Sequence, residues 1–252
     1  MKIRKKLPKA PRAGVPFAVI GYSSAPAINE LQTWFDLEYG GPLTLKEAPG
    51  QVGAEGSPLL LAMHGPWQAM VRLSIPESEG EAWKQRLDWS HSICGGLWRQ
   101  TAARGQAIDA TLHAARLVRG LVLLTDGTAY DVPAQTYLNP SDCTDRRLVS
   151  FEIRDHVTVI QSEDADRGEW FSTRGLSKFG LDEIEVFRPV GLPAPPVMEQ
   201  LLNIAAEWVR RGQSPNVGAT IVIPELDQAI QVVRHRTIPS ADTPLILREV
   251  AW

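Results

Sequence analysis

Two glycines five residues apart, Gly175 and Gly180, lie in a stretch rich in chemically active side chains, GEWFSTRGLSKFGLDEIEVF. A loop that grips a phosphate needs the pattern G-x-x-x-x-G-K-[ST], because the lysine and the hydroxyl contact the phosphate and its metal. Here a leucine and Asp182 follow Gly180, so a carboxylate stands where the phosphate charge would lie. A dinucleotide fingerprint is excluded too, because no second glycine follows Gly175 by two positions. We therefore predict a strand, a short helical turn between the glycines, and a returning strand.

A serine nucleophile is the second chemistry that the sequence allows. Ser23 lies in GYSSA, between a predicted strand and a predicted helix, where the activated serine of many hydrolases lies. Its base would come from one of the five histidines, His64, His91, His113, His156 or His235. The alternative is that Ser23 and Ser24 end the strand and cap the helix that Pro26 begins.

Metal chemistry has less support. His91 and Cys94 in HSIC are three residues apart and would share a helical face, which is half of a metal site. No second pair has that spacing, because His113 and Cys143 are isolated. We therefore predict a buried thiol at Cys94, no metal and no cofactor.

A cluster of acidic residues lies in SEDADRGE and consists of Glu163, Asp164, Asp166 and Glu169. Calcium loops also space carboxylates two apart, but they need flanking helices and a bidentate glutamate at the far end, which this stretch lacks. The cluster is either a solvated hairpin loop or an acidic patch that steers a basic protein partner. We take these four residues as the first partner contacts, followed by Asp182 and Glu183.

The composition is that of a globular protein with an uneven charge distribution. Of the 252 residues, 44% are hydrophobic and 22% are charged, and no apolar run approaches the roughly 20 residues that span a bilayer. The first twelve residues hold six basic side chains and no acid, and the rest has 20 basic against 29 acidic residues. Such a body repels nucleic acid and attracts basic partners. The short apolar segment after the leader and two free cysteines indicate a cytoplasmic protein.

The elements that must position these residues form two halves. We predict a mobile basic leader over 1–14, a first half over 15–140 and a second half over 141–252, either as two domains or as one continuous domain. In the first half, apolar periodicity predicts a strand, a helix, a hairpin turned at Gly65-Pro66, further helices and a strand. The run LVLLTDGTAYDV, with Asp126-Gly127 at its centre, predicts another hairpin. This order is that of a ferredoxin-like split βαββαβ unit.

The second half is predicted to contain a mixed or antiparallel sheet and one long helix. LVSFEIRDHVTVIQ alternates as a long strand would. PAPPVMEQLLNIAAEWVRRG begins with prolines and ends at Gly212, so it is the clearest helix in the chain. Three strand-like runs, GATIVI, QAIQVVRH and PLILREV, follow it. The predicted fold class is therefore α+β with two related halves.

The stretch STRGLSKFGLDEIEVF also resembles the signature of a family of bacterial domains of unknown function. In that family a strand, a Thr-x-Gly-Leu/Met turn, a Phe-Gly pair and a Glu-Ile/Leu-Glu strand precede a long helix. The similarity spans most of residues 15–250, with its specific part in residues 173–186, and WSHSICGGLWRQT departs from the apolar strand expected there. The signature positions are Thr173, Arg174, Gly175, Phe179 and Gly180.

The resemblance supplies no catalytic residues, but it implies a binding role. Relatives of that family lie in gene neighbourhoods with secreted toxins and immunity proteins. Together with the acidic body and eight tryptophans, this predicts a non-enzymatic immunity protein that neutralises a toxin, such as a basic nuclease effector of a type VI secretion system. Two alternatives stay open: a hydrolase that uses Ser23, and a nucleic-acid-associated factor that binds through the basic leader.

Overall fold

The computed structural model of the protein describes residues 15–48, 58–99, 106–188, 193–223, 228–239 and 244–252. The predicted leader over 1–14 lies outside the described residues. The fold is α+β, as predicted, and its described residues form a seven-stranded sheet, a six-stranded sheet and five α-helices. In the described part of the chain, no helix has the length and apolar character needed to cross a membrane.

The first sheet is antiparallel and has the strand order β2-β3-β4-β5-β1-β6-β7. This seven-stranded order does not confirm a split ferredoxin-like unit, which has four strands. Its strands are β1 Ala18–Tyr22, β2 Thr44–Glu47, β3 Leu60–His64, β4 Trp67–Arg72, β5 Ile93–Arg99, β6 Thr128–Asp131 and β7 Thr136–Leu138.

Helices cover both faces of the first sheet. On one face, Phe35 of α1 and Leu117 of α3 pack into the main core against β-strand residues such as Leu97. On the other face, Trp83 of α2 packs against a smaller cluster that includes Cys94. The helices of this half are α1 Ile28–Tyr39, α2 Glu77–Leu87, α3 Ala107–Thr125 and α4 Pro140–Asp145.

Two sequence predictions for the first half are wrong. The stretch HSIC, in which His91 and Cys94 would share a helical face, is not helical: α2 ends at Leu87, and ICGGLWR is a central strand. The glycines of this strand obscure its apolar pattern in the sequence. A side chain on Gly95 would collide with the Tyr22 hydroxyl, so the sheet requires glycine at that position. LVLLT is the end of α3 and not a strand, because a short apolar run also suits a buried helix. Asp126 then ends that helix in the left-handed region, with φ 50°.

The second sheet has the order β11-β12-β13-β10-β9-β8 and is mixed, because β10 and β13 pair in parallel. The long helix α5 (Ala194–Arg211) packs on one face, where Trp208, Phe171 and Ile184 form the second core. The strand predicted from Leu148 onward begins only at Thr158, because a 3-10 turn occupies Ile153–Asp155. The strands are β8 Thr158–Asp164, β9 Gly168–Arg174, β10 Glu183–Arg188, β11 Thr220–Ile223, β12 Gln228–Ile238 and β13 Leu245–Ala251.

Candidate functional site

The segment Gly175–Gly180, called here the signature turn, is a single 3-10 turn between β9 and β10. Both glycines have positive φ, 115° and 72°, and a side chain on Gly175 would collide with the His156 carbonyl. The Glu183 carboxylate organises the turn by accepting hydrogen bonds from Thr173 Oγ1 at 2.8 Å, from the Gly175 N–H at 3.0 Å and from the Ser177 N–H at 3.2 Å. These contacts explain why threonine, glycine and glutamate occur at these spacings.

Glu183 is therefore an internal residue and not a partner contact. Its exposed fraction is only 3%. Burial raises the pKa of its carboxyl, while the hydrogen bonds from Thr173 and the turn oppose that shift. The sequence expectation that Glu183 contacts a partner is corrected accordingly, because a carboxylate with three internal donors and almost no exposed surface is not accessible to a partner.

The signature turn also joins the two sheets. The Lys178 side chain is fully buried and its ammonium forms an ion pair with Asp131 of β6. The same ammonium donates to the His156 carbonyl at 2.9 Å. Phe179 meets the Phe151 ring edge to face, with ring centres 5.7 Å apart. The turn is thus a docking element between the halves, with a charge placed inside the junction.

On the face of the second sheet opposite α5, arginine and aromatic side chains form a continuous series. We call it the arginine ladder, and its members in order are Arg174, Trp170, Arg236, Phe187 and Arg167. The Arg174 guanidinium lies 5.9 Å from the Trp170 ring centre, and that of Arg236 lies 5.3 Å from Trp170 and 5.4 Å from Phe187. The Arg167 guanidinium lies 3.7 Å from the Phe187 ring centre. Each distance is within the range of a cation–π interaction.

Buried carboxylates fix the cations of the ladder. Glu185 is fully buried and accepts a bidentate contact from Arg236, with Nε at 2.8 Å, and a hydrogen bond from Trp170 Nε1 at 2.9 Å. Glu249, which pairs with Glu185 across β10 and β13, accepts hydrogen bonds from both terminal nitrogens of Arg167. Hydrogen bonds to these carboxylates raise the pKa of both guanidinium groups. The ladder is held in one geometry, because bidentate pairs constrain orientation as well as distance.

Arg174 occupies the buried end of the ladder. Its Nη1 donates to Ser172 Oγ at 2.9 Å and to the Thr173 carbonyl at 2.6 Å. Burial lowers the pKa of this guanidinium, and the charges of Glu183 and Glu185 oppose the shift. Arg174 is therefore the link between the signature turn and the ladder.

The outer part of the ladder reaches solvent. The Arg236 and Arg167 side chains are 28% and 36% exposed, and Trp170 and Phe187 are half-buried. Arg234, two residues before Arg236 on β12, is exposed. The sequence analysis did not identify this surface, although residues at even spacing were a signal: Trp170 and Arg174 in EWFSTR, and Arg234 and Arg236 in VRHR.

The acidic residues chosen from the sequence are spread over different environments. Glu163 and Asp166 are exposed on the β8–β9 hairpin. Asp164 Oδ1 instead accepts the N–H groups of Asp166 and Arg167, at 3.1 and 3.0 Å, and so holds the turn. Of these three carboxylates, only those of Glu163 and Asp166 are accessible to a partner.

Glu169 and Asp182 are tied to internal arginines. Glu169 is buried and accepts from Arg188 Nε at 2.9 Å. Asp182 accepts from Arg248 Nε at 2.7 Å and is partly buried. Glu169 and Asp182 are therefore removed from the partner contacts that we propose.

Ser23 is exposed between β1 and α1, and in the described residues no histidine forms a hydrogen bond with its hydroxyl. It does not cap α1 either, since Ala27 occupies the N-cap position. Cys94 lies in β5 and not on a helix, with its Sγ 3.7 Å from the Gly80 carbonyl, and burial raises the pKa of its thiol. No group of three or more histidine, cysteine or carboxylate ligands assembles within the described ranges.

A small cavity lies where the two halves meet. Phe17 of the first core, Arg119 of α3 and Asp155 of the 3-10 turn are among the residues that line it. Its volume of about 20 Å³ is room for about one water molecule, so it is too small for a metabolite.

Comparison with known proteins finds no family model, no curated protein and no solved structure that matches this chain.

Proposed function

We propose that this chain is a protein-binding protein whose contact surface is the exposed part of the arginine ladder together with Glu163 and Asp166. The observation that carries the proposal is the ladder itself, which presents aromatic and arginine side chains at an outward sheet face in a fixed geometry. Tryptophan and arginine are the side chains most enriched among residues that dominate the free energy of protein association.

Prior ordering supports this assignment on energetic grounds. A long side chain that becomes immobile on binding costs about 0.5–1.5 kcal/mol of entropy. The bidentate contacts to Glu185 and Glu249 already hold Arg236 and Arg167 in the free protein. The entropy cost of ordering these two side chains therefore arises during folding. A partner that stacks on the ladder does not incur it again on binding.

The charge of the chain suggests the kind of partner. Outside the first twelve residues, acidic side chains exceed basic ones by nine, and Glu163 and Asp166 are exposed at the hairpin beside the ladder. Such a surface accelerates encounter with a basic protein. Combined with the resemblance to domains found near toxin genes, this supports a cytoplasmic immunity protein that masks a basic secreted toxin, such as a nuclease effector of a type VI secretion system.

The test is co-expression with the toxin encoded beside the gene, followed by gel filtration of the purified full chain and toxin. We expect survival of the co-expressing cells and a stable complex. Trp170→Ala should weaken that complex by at least about 30-fold, which corresponds to a hot-spot loss of about 2 kcal/mol. Glu163→Lys, which leaves every member of the ladder in place, should weaken it by about tenfold, because it sets a cation against a basic partner.

Glu47→Lys on the exposed edge of the first sheet is the matched control, and it should bind as the parent does. Absence of a complex with the parent chain would reject the toxin as partner. A complex that tolerates both Trp170→Ala and Glu163→Lys, with melting curves showing folded variants, would place the interface elsewhere.

A further inference from the structure

Three aromatic side chains with ring nitrogens meet at the edge of the first core. His64 ends β3, Trp67 begins β4, and His113 lies on α3. The ring centres of His64 and His113 are 4.8 Å apart, and those of Trp67 and His113 are 5.5 Å apart. One nitrogen of each ring is buried without a hydrogen-bond partner in the described protein: His64 Nδ1, His113 Nδ1 and Trp67 Nε1. Buried polar atoms of this kind normally have a partner, so three in one place call for an occupant.

The hydrogen bond that His64 Nε2 makes determines the tautomer of the ring. His64 Nε2 lies 2.8 Å from the Gly40 carbonyl oxygen. A carbonyl only accepts, so Nε2 carries the proton and donates. In the neutral ring Nδ1 then holds a free lone pair. A carbonyl that accepts from the second imidazole nitrogen is also the usual way in which proteins orient a metal-binding histidine.

His113 offers the second nitrogen. Its Nδ1 is buried without a hydrogen-bond partner in the described protein, in a ring whose centre lies 4.8 Å from that of His64. An imidazole nitrogen whose lone pair has no partner is the form that binds a metal.

We propose that His64 and His113 form an open two-histidine site for a divalent transition metal, with water in the remaining coordination positions. With a metal–nitrogen distance of about 2.0–2.1 Å, two imidazoles bound at 90–110° have ring centres about 4.5–5.2 Å apart. The observed separation of 4.8 Å lies within this range before any metal enters. Trp67 Nε1, which is a donor only, would donate to the metal-bound water and so gain the partner it lacks.

The ligand set indicates which metals fit. Imidazole suits zinc and copper, and Cu²⁺ binds a given nitrogen site most tightly among the first-row divalent ions. In the described ranges no third histidine, cysteine or carboxylate completes the set, so water is left to fill it. Such a site exchanges its ligands readily and holds its metal loosely compared with closed four-ligand sites.

The first experiment uses the metals alone with the metal-free full chain. Isothermal titration should show one Cu²⁺ bound with a dissociation constant below about 100 µM, and Zn²⁺ bound more weakly. Each of His64→Ala and His113→Phe should weaken Cu²⁺ binding by at least about tenfold, because each removes one ligand. His235→Ala, at an exposed position on β12, is the matched control and should leave binding unchanged.

The second experiment needs no variant and therefore holds even if one fails to fold. Imidazole nitrogen resonances of the parent protein are followed during Zn²⁺ addition. Shifts at Nδ1 of both His64 and His113 support the site. No binding, shifts confined to other histidines, or binding that survives in the double variant would overturn it, and unshifted Nδ1 resonances would leave a lone water as the occupant.

Discussion

The signature turn and the arginine ladder share the strands β9 and β10 but differ in what surrounds their charges. In the turn, Lys178 and Glu183 are buried, and every charge is matched by an internal group. In the ladder, Glu185 is buried while its partner Arg236 stays partly exposed. The same residue types therefore serve docking in one region and presentation in the other. Glu183 and Glu185 project from the same face of β10, so what separates the two regions is the burial of the partner cation: the Lys178 side chain is fully buried, whereas that of Arg236 is 28% exposed.

This difference has an energetic consequence. Removing one member of a fully buried ion pair leaves an uncompensated charge and costs about 3–5 kcal/mol, whereas exposed pairs contribute about 0–1 kcal/mol. Changes in the turn should therefore act on folding. Changes at the outer side of the ladder should act on binding, with smaller effects on folding.

The sharpest test of the turn is Lys178→Met. The substitution leaves Asp131 buried without its cation, so we expect the free energy of unfolding to fall by about 3–5 kcal/mol. Urea denaturation followed by tryptophan fluorescence measures it. Lys84→Met, in a partly exposed pair with Glu81, is the control and should change stability by less than about 0.5 kcal/mol. A loss below about 1 kcal/mol at Lys178 would break the distinction between the two regions.

The acid sensitivity of the junction is a second test, through His156→Phe. The His156 ring is 1% exposed, stacks on Phe151 and has no hydrogen-bond partner at either nitrogen in the described protein. Burial, then the charges of Lys178 and Arg146, lowers its pKa from 6.5 to about 3. Below pH 6.5 the His156 imidazole binds a proton in the unfolded chain but not in the folded chain. The free energy of unfolding therefore falls as pH falls from 6.5 towards 3.

We expect His156→Phe to stabilise the protein by about 1 kcal/mol at pH 7, because it removes two unsatisfied nitrogens. The advantage should grow to about 3 kcal/mol at pH 5, since the variant lacks the titrating group. Denaturation curves at both pH values measure this. His235→Asn, an exposed position, serves as control. A gap between variant and parent that does not widen in acid would contradict the assignment of acid sensitivity to His156.

Within the ladder, Arg236→Ala should lower the free energy of unfolding by about 2 kcal/mol. The effect is smaller than in the turn because Trp170 Nε1 still donates to Glu185 and because Arg236 is partly exposed. Arg234→Ala on the same strand should cost less than about 0.5 kcal/mol. If the two variants proved equally stable, the bidentate contact to Glu185 would not be what orders the ladder.

The smallest effect is expected for Arg167→Lys. A lysine keeps a charge beside Glu249 but loses the bidentate contact and the flat stack on Phe187, so stability should fall by less than about 1 kcal/mol. The affinity for the partner should fall by about tenfold, which is a larger loss of free energy than the loss of stability. Thermal melting and the affinity measurement together decide this, and Arg154→Lys, in an exposed pair with Glu199, is the control. Equal losses in folding and binding would indicate that the ladder is structural only.

Several elements of the fold could be predicted because their signals are local. The prolines, apolar stripe and Gly212 of α5 lie within one segment, and so do the two glycines of the signature turn. The strand ICGGLWR could not be recognised, because glycine is required at Gly95 by the close approach of Tyr22, which lies far away in the sequence. The end of α3 was mistaken for a strand, because a short apolar run does not reveal its period.

The sequence by itself determined the α+β class, the boundaries of α5 and the strand-turn-strand order around Gly175 and Gly180, because each depends mainly on local sequence signals. Only the tertiary structure decided which charges are buried and which are presented. The ladder joins Arg167 and Trp170 to Phe187 and Arg236, and the carboxylate of Glu249 comes from a further strand. Pairing and register between strands bring these side chains together, and that pairing depends on the whole sheet rather than on any one segment.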